Sequence, residues 1–195
     1  MEKYRVKIKL TEPLLGTVSG NKELATDYIA ANHPDGLQDD EMEAIENMDE
    51  VVEKATTYFP KLEDGSPFLW DYQIKGFFKD ACGMLNRVGP KLKAYKKIID
   101  GLIFPQPRKI PVNLAGEMGF IERPLRVPTP KGERSALARS ETVPADSTVE
   151  FCVLLLDDSL EKNLKGWLEY GQLRGLGQWR NSGMGRFEVV SFEKE

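Results

Sequence analysis

The sequence predicts an α+β fold, a ferredoxin-like βαββαβ plan on an antiparallel sheet, with an inserted acidic helical segment and a projecting hairpin. Three observations point there. The chain has 195 residues, 41% hydrophobic and 30% charged, which suits one packed core in a single domain spanning residues 1–195. Apolar positions alternate with period two near both ends and keep helical spacing in two stretches between them. The elements follow in the order strand, inserted helices, helix, strands, strand, helix, strand.

The first strand runs from Tyr4 to Leu10, where Tyr4, Val6, Ile8 and Leu10 are apolar and Arg5, Lys7 and Lys9 cationic. Such alternation describes a half-buried strand with a positive outer face. Asn21 to Ala31 reads as a helix after Ser19-Gly20-Asn21, and beyond it Met42, Ile45, Met48, Val52 and Ala55 keep helical spacing. Together these make a helical insertion from about Gly16 to Thr57. After the turn-forming Glu63-Asp64-Gly65-Ser66-Pro67, Asp71 is placed to cap a helix from Tyr72 to about Asn86. Its Ile74, Phe77, Phe78, Ala81, Cys82 and Leu85 share one stripe.

The proline-rich centre, about 101–145, offers Leu102 to Phe104, Ile110 to Leu114 and Phe120 to Val127 as short strands or a projecting hairpin. Val149, Phe151, Val153 and Leu155 alternate again, and Leu154 with Leu156 makes both faces apolar, as in a central strand. Asp158 and Glu161 have capping-box spacing ahead of a helix that turns Leu160, Leu164, Trp167 and Leu168 inward. A glycine-rich loop and a last strand, Arg186 to Phe192, follow.

A net charge of −4 is unevenly placed. Asp35 to Glu53 holds nine acidic residues and no Lys or Arg, so the remainder is +5. Between Arg87 and Arg139 twelve Lys or Arg stand against four acidic residues, and Leu173 to Arg186 has three arginines and no acid. One acidic lobe and one basic surface result, and the basic surface is the footprint of a nucleic-acid binder despite a pI of 5.3. The acidic helices repel a phosphate backbone, so their expected role is protein contact or steric cover.

Several chemistries drop out on composition. A single histidine, His33, excludes paired-His phosphoesterases, His-rich zinc sites and HExxH metalloproteases, and it lies in the turn-forming Ala31-Asn32-His33-Pro34-Asp35-Gly36. Cys82 and Cys152 read as reduced core residues rather than a disulfide or zinc pair. No metal or cofactor is expected. No run of 18 apolar residues occurs and the first residues alternate in charge, so no membrane partner and a cytoplasmic location are expected.

The sharpest local signal lies between the last helix and the last strand. Gly171, Gly175, Gly177, Gly183 and Gly185 are interleaved there with Arg174, Arg180 and Arg186. Glycines let the backbone take positive φ and turn N–H groups toward an anion, and guanidiniums add charge-assisted bonds to phosphate. The loop follows a helix and lacks a Gly-Lys-Ser/Thr ending, so it is neither a Rossmann nor a P-loop turn.

Three segments in order resemble the RAMP (repeat-associated mysterious protein) superfamily, the RNA-binding subunits of CRISPR effector complexes. Gly65 to Ala81, with Lys75-Gly76 and Lys79, is similar to the family's "G-x-P-x-I-P-G-S-S-L-K-G-x-x-R" helix start. Glu141-Thr142-Val143-Pro144 through Phe151 resembles "E-x-V-P-x-G-x-x-F". Gly175 to Arg186 is similar to the signature "G-x-G-x-x-x-x-x-G-x-G-R/K". The resemblance covers residues 1–10 and about 64–192.

What it implies is an RRM-like domain that binds single-stranded guide RNA through its phosphate backbone, as a subunit of a ribonucleoprotein or a homo-oligomer wound along RNA. Arg5, Lys7 and Lys9 would lie beside the backbone. Lys75, Arg174, Arg180 and Arg186 would contact phosphates, joined by the amides of Gly175, Gly177, Gly183 and Gly185 and by Asn181. Trp179 either stacks on a base or packs back on the helix that carries Trp167. The basic centre, including Arg108, Lys109, Arg123, Arg126, Lys131 and Arg134, would be a thumb against a neighbour or the guide.

The Pro-Gly-Ser-Ser of the helix start and the D-x-P stretch of cutting members are absent, leaving His33, Asp49 and Asp64 as the nearby acid–base candidates. Binding without cleavage is therefore expected; a cutting chain would be an RNA endoribonuclease. Another class also fits. A stand-alone RAMP-like protein from a phage or mobile element could dock its acidic helices on a host defence complex and inhibit it.

Overall fold

The computed structural model describes residues 1–19, 56–129 and 132–195. The expected helices at Asn21 to Ala31 and across the acidic stretch lie outside these, as do His33 and Asp49. The fold is α+β, with antiparallel strand pairing throughout its main sheet and three helices among the described residues. None of those helices is long and apolar enough to cross a membrane.

The main sheet forms around β1 (Glu2–Leu10) and β10 (Thr148–Leu155), paired from Glu2↔Leu155 to Lys9↔Thr148. Beyond β1 lies β11 (Phe187–Lys194). Beyond β10, two short strands share one edge, β6 (Ile103–Gln106) on Cys152 to Leu155 and β7 (Lys109–Asn113) on Thr148 and Val149. β5 (Phe68–Trp70) then pairs with β7. The order is therefore β11–β1–β10–β6/β7–β5.

Alternation decides which side is buried. Tyr4, Val6, Ile8 and Leu10 of β1 and Val149, Phe151, Val153 and Leu155 of β10 enter one core, covered by α1 (Asp71–Leu85) and α3 (Glu161–Arg174). The expected stripes are the packed ones. Ile74, Phe77, Phe78, Ala81 and Cys82 of α1, and Leu164, Trp167 and Leu168 of α3, are buried, as is Leu160 just before α3. Phe77 meets Phe187 edge-on at 5.3 Å and Phe78 lies 6.1 Å from Trp167. Each such side chain contributes about 1.5–3 kcal/mol on leaving water. Burial also raises the Cys82 thiol above its ordinary pKa, in keeping with a core residue.

Both helix starts differ from expectation by about one residue. Gln73, not Asp71, caps α1, accepting from the Trp70 amide at 2.8 Å, while the Asp71 carboxylate accepts from the Tyr72 amide and from Arg108. Ahead of α3, Asp157 rather than Asp158 takes the cap, accepting from the Ser159 amide at 3.0 Å before a 3-10 turn. Glu161 instead accepts from the Tyr4 hydroxyl at 2.9 Å. The buried phenol and that carboxylate push Tyr4 up to about 12. Another helix, α2 (Tyr95–Leu102), precedes β6, where a strand from Leu102 was expected.

A second sheet carries the hairpin. β8 (Gly119–Thr129) and β9 (Gly132–Val143) pair from Gly119↔Thr142 to Thr129↔Gly132. The other edge of β9 takes β2 (Leu14–Leu15) and, in parallel, β4 (Thr56–Tyr58). β4 pairs in turn with β3 (Val18–Ser19). Both ends of the insertion expected as helical are thus strands, its stem stitched into a sheet. Glu141, buried at 4% exposure, holds that stem by accepting from the Phe59 amide at 2.9 Å and from Lys61 at 3.2 Å.

Two glycines of α3 test the packing in opposite directions. The ring of Phe187 lies where a Cβ on Gly171 would stand, whereas Gly166 has nothing within 4 Å. Gly171→Ala should destabilise by about 1–3 kcal/mol through overpacking. Gly166→Ala should stabilise by about 0.5–1 kcal/mol through helix propensity. Urea denaturation of the two variants measures both, and equal effects would contradict the packing.

Candidate nucleic-acid interface

The glycine-rich loop is a closed structure. Leu176 donates its amide to the Gly185 carbonyl at 2.8 Å, and the Gly185 amide reaches the Pro13 carbonyl at 2.8 Å. The chain crosses itself there only because Gly175 and Gly185 have positive φ, 77° and 69°, and no side chain. A Cβ on Gly175 would lie 2.5 Å from the Met184 carbonyl oxygen, and one on Gly185 would collide with that of Leu176. The amides expected to face an anion are engaged within the fold. Gly175 donates to Gly171 and Gly183 to Arg180, leaving only the Gly177 amide, of the four, without an acceptor among the described residues.

The arginines are fixed by α1. Asp80 accepts from Arg174 Nε at 2.9 Å and from Arg180 at 2.8 Å on the same oxygen, and Arg174 also donates to the Asn181 side chain at 2.7 Å. Two guanidiniums on one carboxylate remain net positive. The Asp80 bond raises the Arg174 pKa further above its ordinary value. Arg186 lies against Gly183, its Nε buried and without a hydrogen-bond partner.

Between this loop and the first turns of α1 runs a cleft of about 710 Å³, lined by Lys75, Gly76, Lys79, Asp100, Phe104, Arg108, Gly177 and Arg180 among others. Among the described residues Lys75 is held by no carboxylate. Its ammonium sits 4.5 Å over the Phe104 ring and donates to the Asp100 carbonyl at 3.2 Å, and burial lowers its pKa. Lys79 pairs with Asp100 at 2.5 Å and Arg108 with Asp71 at 2.8 Å. Four cations line this cleft with Asp71 and Asp100, while Asp80 holds Arg180 from behind, and the net positive charge attracts a polyanion.

Not all expected residues meet there. Lys75, Gly177 and Arg180 line the cleft, and Arg174 and Asn181 support Arg180's carboxylate partner from behind. Arg5, Lys7 and Lys9 lie on the opposite face of the sheet, away from the helices. On that face Arg5 pairs with Glu195, Lys9 with Glu188 at 2.8 Å and Asp146 at 3.6 Å, and Lys7 stands opposite Glu150 and Ser191. By register Phe104, Phe68 and Trp70 share that face, but Phe68 and Trp70 are fully buried in a cluster of their own and Phe104 lies under the Lys75 ammonium. Asp64 lines no part of the cleft. Its carboxylate accepts from the Ser66 amide at 2.9 Å, which lowers its pKa.

Trp179 does not pack on Trp167, which is buried in the core. It projects from the loop 5.1 Å from the guanidinium of Arg123, on β8. Arg123 donates to Ser140 Oγ at 3.3 Å and to Gln178 Oε1 at 3.0 Å, and Gln178 reaches the Gly16 carbonyl at 3.0 Å. Hairpin, loop and insertion stem are joined at this point. Asp80, Arg123, Gln178 and Glu141 are the residues that sequence reasoning missed as partners. Of these only Glu141 had a local signal, the E-x-V-P string.

No protein-family profile matches the sequence, nor does any curated protein. The fold is similar to a chain in the cryo-electron-microscopy structure of the type III-B Cmr-beta bound to cognate target RNA, with a TM-score of 0.57 and 12% identity. The match covers 99% of this chain and 60% of that one, so this chain spans about three fifths of its neighbour's length. At that identity the likeness is one of fold.

The shared carboxylate makes a direct test of how the loop is held. Asp80→Asn should cost about 1 kcal/mol at low ionic strength and less in molar salt, because the pairs are partly exposed and screened. Urea denaturation at two ionic strengths reads this out. A loss that ignores salt would mean that Asp80 does not act through its charge.

Proposed function

We propose that this chain is a RAMP-type RNA-binding subunit that holds single-stranded RNA by its phosphates in the cleft between α1 and the glycine-rich loop, without cutting it. The observation that carries this reading is the cleft itself, where Lys75, Lys79, Arg108 and Arg180 stand with Asp71 and Asp100 beside a loop held rigid by its own backbone bonds. Cations placed on rigid elements neutralise phosphates with little ordering on binding. Contacts of this kind fix position and carry no sequence information.

The strand order β11–β1–β10–β6/β7, with α1 and α3 on one face, supports the ferredoxin-like reading. So does the likeness to a chain of an RNA-bound Cmr assembly. A place in a CRISPR-type multi-subunit ribonucleoprotein is supported by that likeness and by the projecting hairpin, which offers a surface to a neighbour. Within the interface the contacts fall to Lys75, Arg180 and the Gly177 amide. Arg174, Asn181, Gly175, Gly183 and Gly185 serve as its frame, while Arg186 adds charge and Arg5, Lys7 and Lys9 a basic border on the far face.

Fluorescence anisotropy with labelled single-stranded RNAs of differing sequence, at two salt concentrations, tests this. Affinities should agree within a few-fold between sequences and fall steeply with salt. Lys75→Ala and Arg180→Ala should each flatten the log–log salt slope by about 0.7, the value for one phosphate of a single strand. Absence of binding at low salt would overturn the reading, and shortening of the labelled strand would move it to an endoribonuclease.

A further inference from the structure

We propose that Trp179 is a stacking platform for one unpaired base of the bound strand, and that Arg123 of the hairpin is the positioning residue that fixes its ring. This rests on the RNA reading above and adds a contact to a base where that reading has only phosphates.

The three tryptophans of the chain divide sharply. Trp70 and Trp167 are 0% and 2% exposed, whereas Trp179 is 37% exposed. Trp179 also has φ 54° and ψ 32°, in the left-handed region, where a bulky side chain is an outlier that costs on the order of 1 kcal/mol. The other residues of this loop with positive φ, at 175, 177, 183 and 185, are all glycine. Glycine at 179 would relieve the backbone, yet the largest side chain stands there. Among the described residues its ring meets the Arg123 guanidinium on one side and water on the other.

Arg123 explains how the ring is held. The residue is 7% exposed and, among the described residues, its guanidinium bonds only to the neutral Ser140 and Gln178 side chains and leaves Nε without a partner. Among the described residues no carboxylate pairs with it. A buried cation without a counter-charge is costly, and the indole face is the group that compensates it. The ring is thereby pinned from one side while over a third of the residue stays open to water. A planar group already ordered before binding loses little entropy on stacking.

Position selects the ligand. Trp179 does not itself line the cleft but lies in the chain between Gly177 and Arg180, which do, so a strand whose phosphates occupy the cleft would have the Trp179 ring within reach of a neighbouring base. Arg174, Arg180 and Arg186 flank it in a segment, Leu173 to Arg186, without an acidic residue, and a cationic groove with an aromatic beside it is the arrangement that binds single-stranded nucleic acid.

Because Trp70 and Trp167 are buried, the exposed tryptophan fluorescence belongs to Trp179. A short oligouridylate and an abasic ribose–phosphate strand of equal length are titrated against the full chain. The oligouridylate should quench the emission and bind about tenfold more tightly, as expected for one stacked base. Trp179→Ala should abolish that preference while leaving the abasic affinity unchanged, and Trp179→Phe should restore most of it. Arg123→Met should reduce the preference and open the remaining indole to acrylamide quenching; if this variant does not fold, the Trp179 pair still decides. Equal binding of the two strands by the unmodified chain would overturn the stacking platform and leave the phosphate reading standing. Binding of neither would overturn both.

Discussion

The backbone crossing at Gly175 and Gly185 is the constraint from which the candidate site follows. Two segments of chain pass so closely that neither position admits a Cβ, and the bonds made there tie the loop to Pro13 at the end of the first strand. Once that crossing exists, the residues between its arms have nowhere else to go. Arg180 is carried over Asp80, Gly177 to the rim of the cleft and Trp179 over Arg123. Loop geometry and side-chain chemistry are thus two consequences of one steric fact.

Charge is divided across the sheet in the same economical way. On the face away from the helices, lysine and arginine of β1 are matched by Glu188, Asp146 and Glu195, and exposed pairs of this kind add little stability. They suit a surface that remains in water. In the cleft, by contrast, Lys75 is drawn over an aromatic ring and bonds to a carbonyl, so its charge is only partly compensated. The cleft therefore favours an approaching anion more than the far face does, although β1 has the more obvious run of cations.

Legibility in the sequence followed the length of each element. β1 and β10 alternate over enough residues to fix their inner faces, and α1 and α3 have stripes that become the packed stripes, with Leu85 half-buried at the end of α1 and Leu160 just ahead of α3. α2 has eight residues and one buried side chain, Ile99, too little for periodicity to register. The strands at Leu14–Leu15 and Thr56–Tyr58 exist because β9, far along the chain, supplies their hydrogen bonds, and Val18–Ser19 pairs in turn with Thr56–Tyr58. No local pattern encodes such pairing. The same limit governs the site. Glycines and arginines of the loop were visible, but Asp80 and Arg123 reach them only through the fold, and the loop amides assigned to a ligand are engaged in holding the loop together. Glu141 was visible as part of a motif while its task, securing the insertion stem, was not.

The hairpin has a mechanical consequence. From Gly132 to Ala138, β9 pairs only with β8 among the described residues, a ribbon of about 23 Å at the usual rise per residue. At its root, beside the pairings of β9 with β2 and β4, a guanidinium is wedged between a hydroxyl, an amide and an indole. A tilt of about ten degrees at that root moves the far end by about 4 Å on a ribbon of this rise. The arm is therefore a boom whose pivot and the aromatic ring share one bearing, and whatever loads its end bears on the ring.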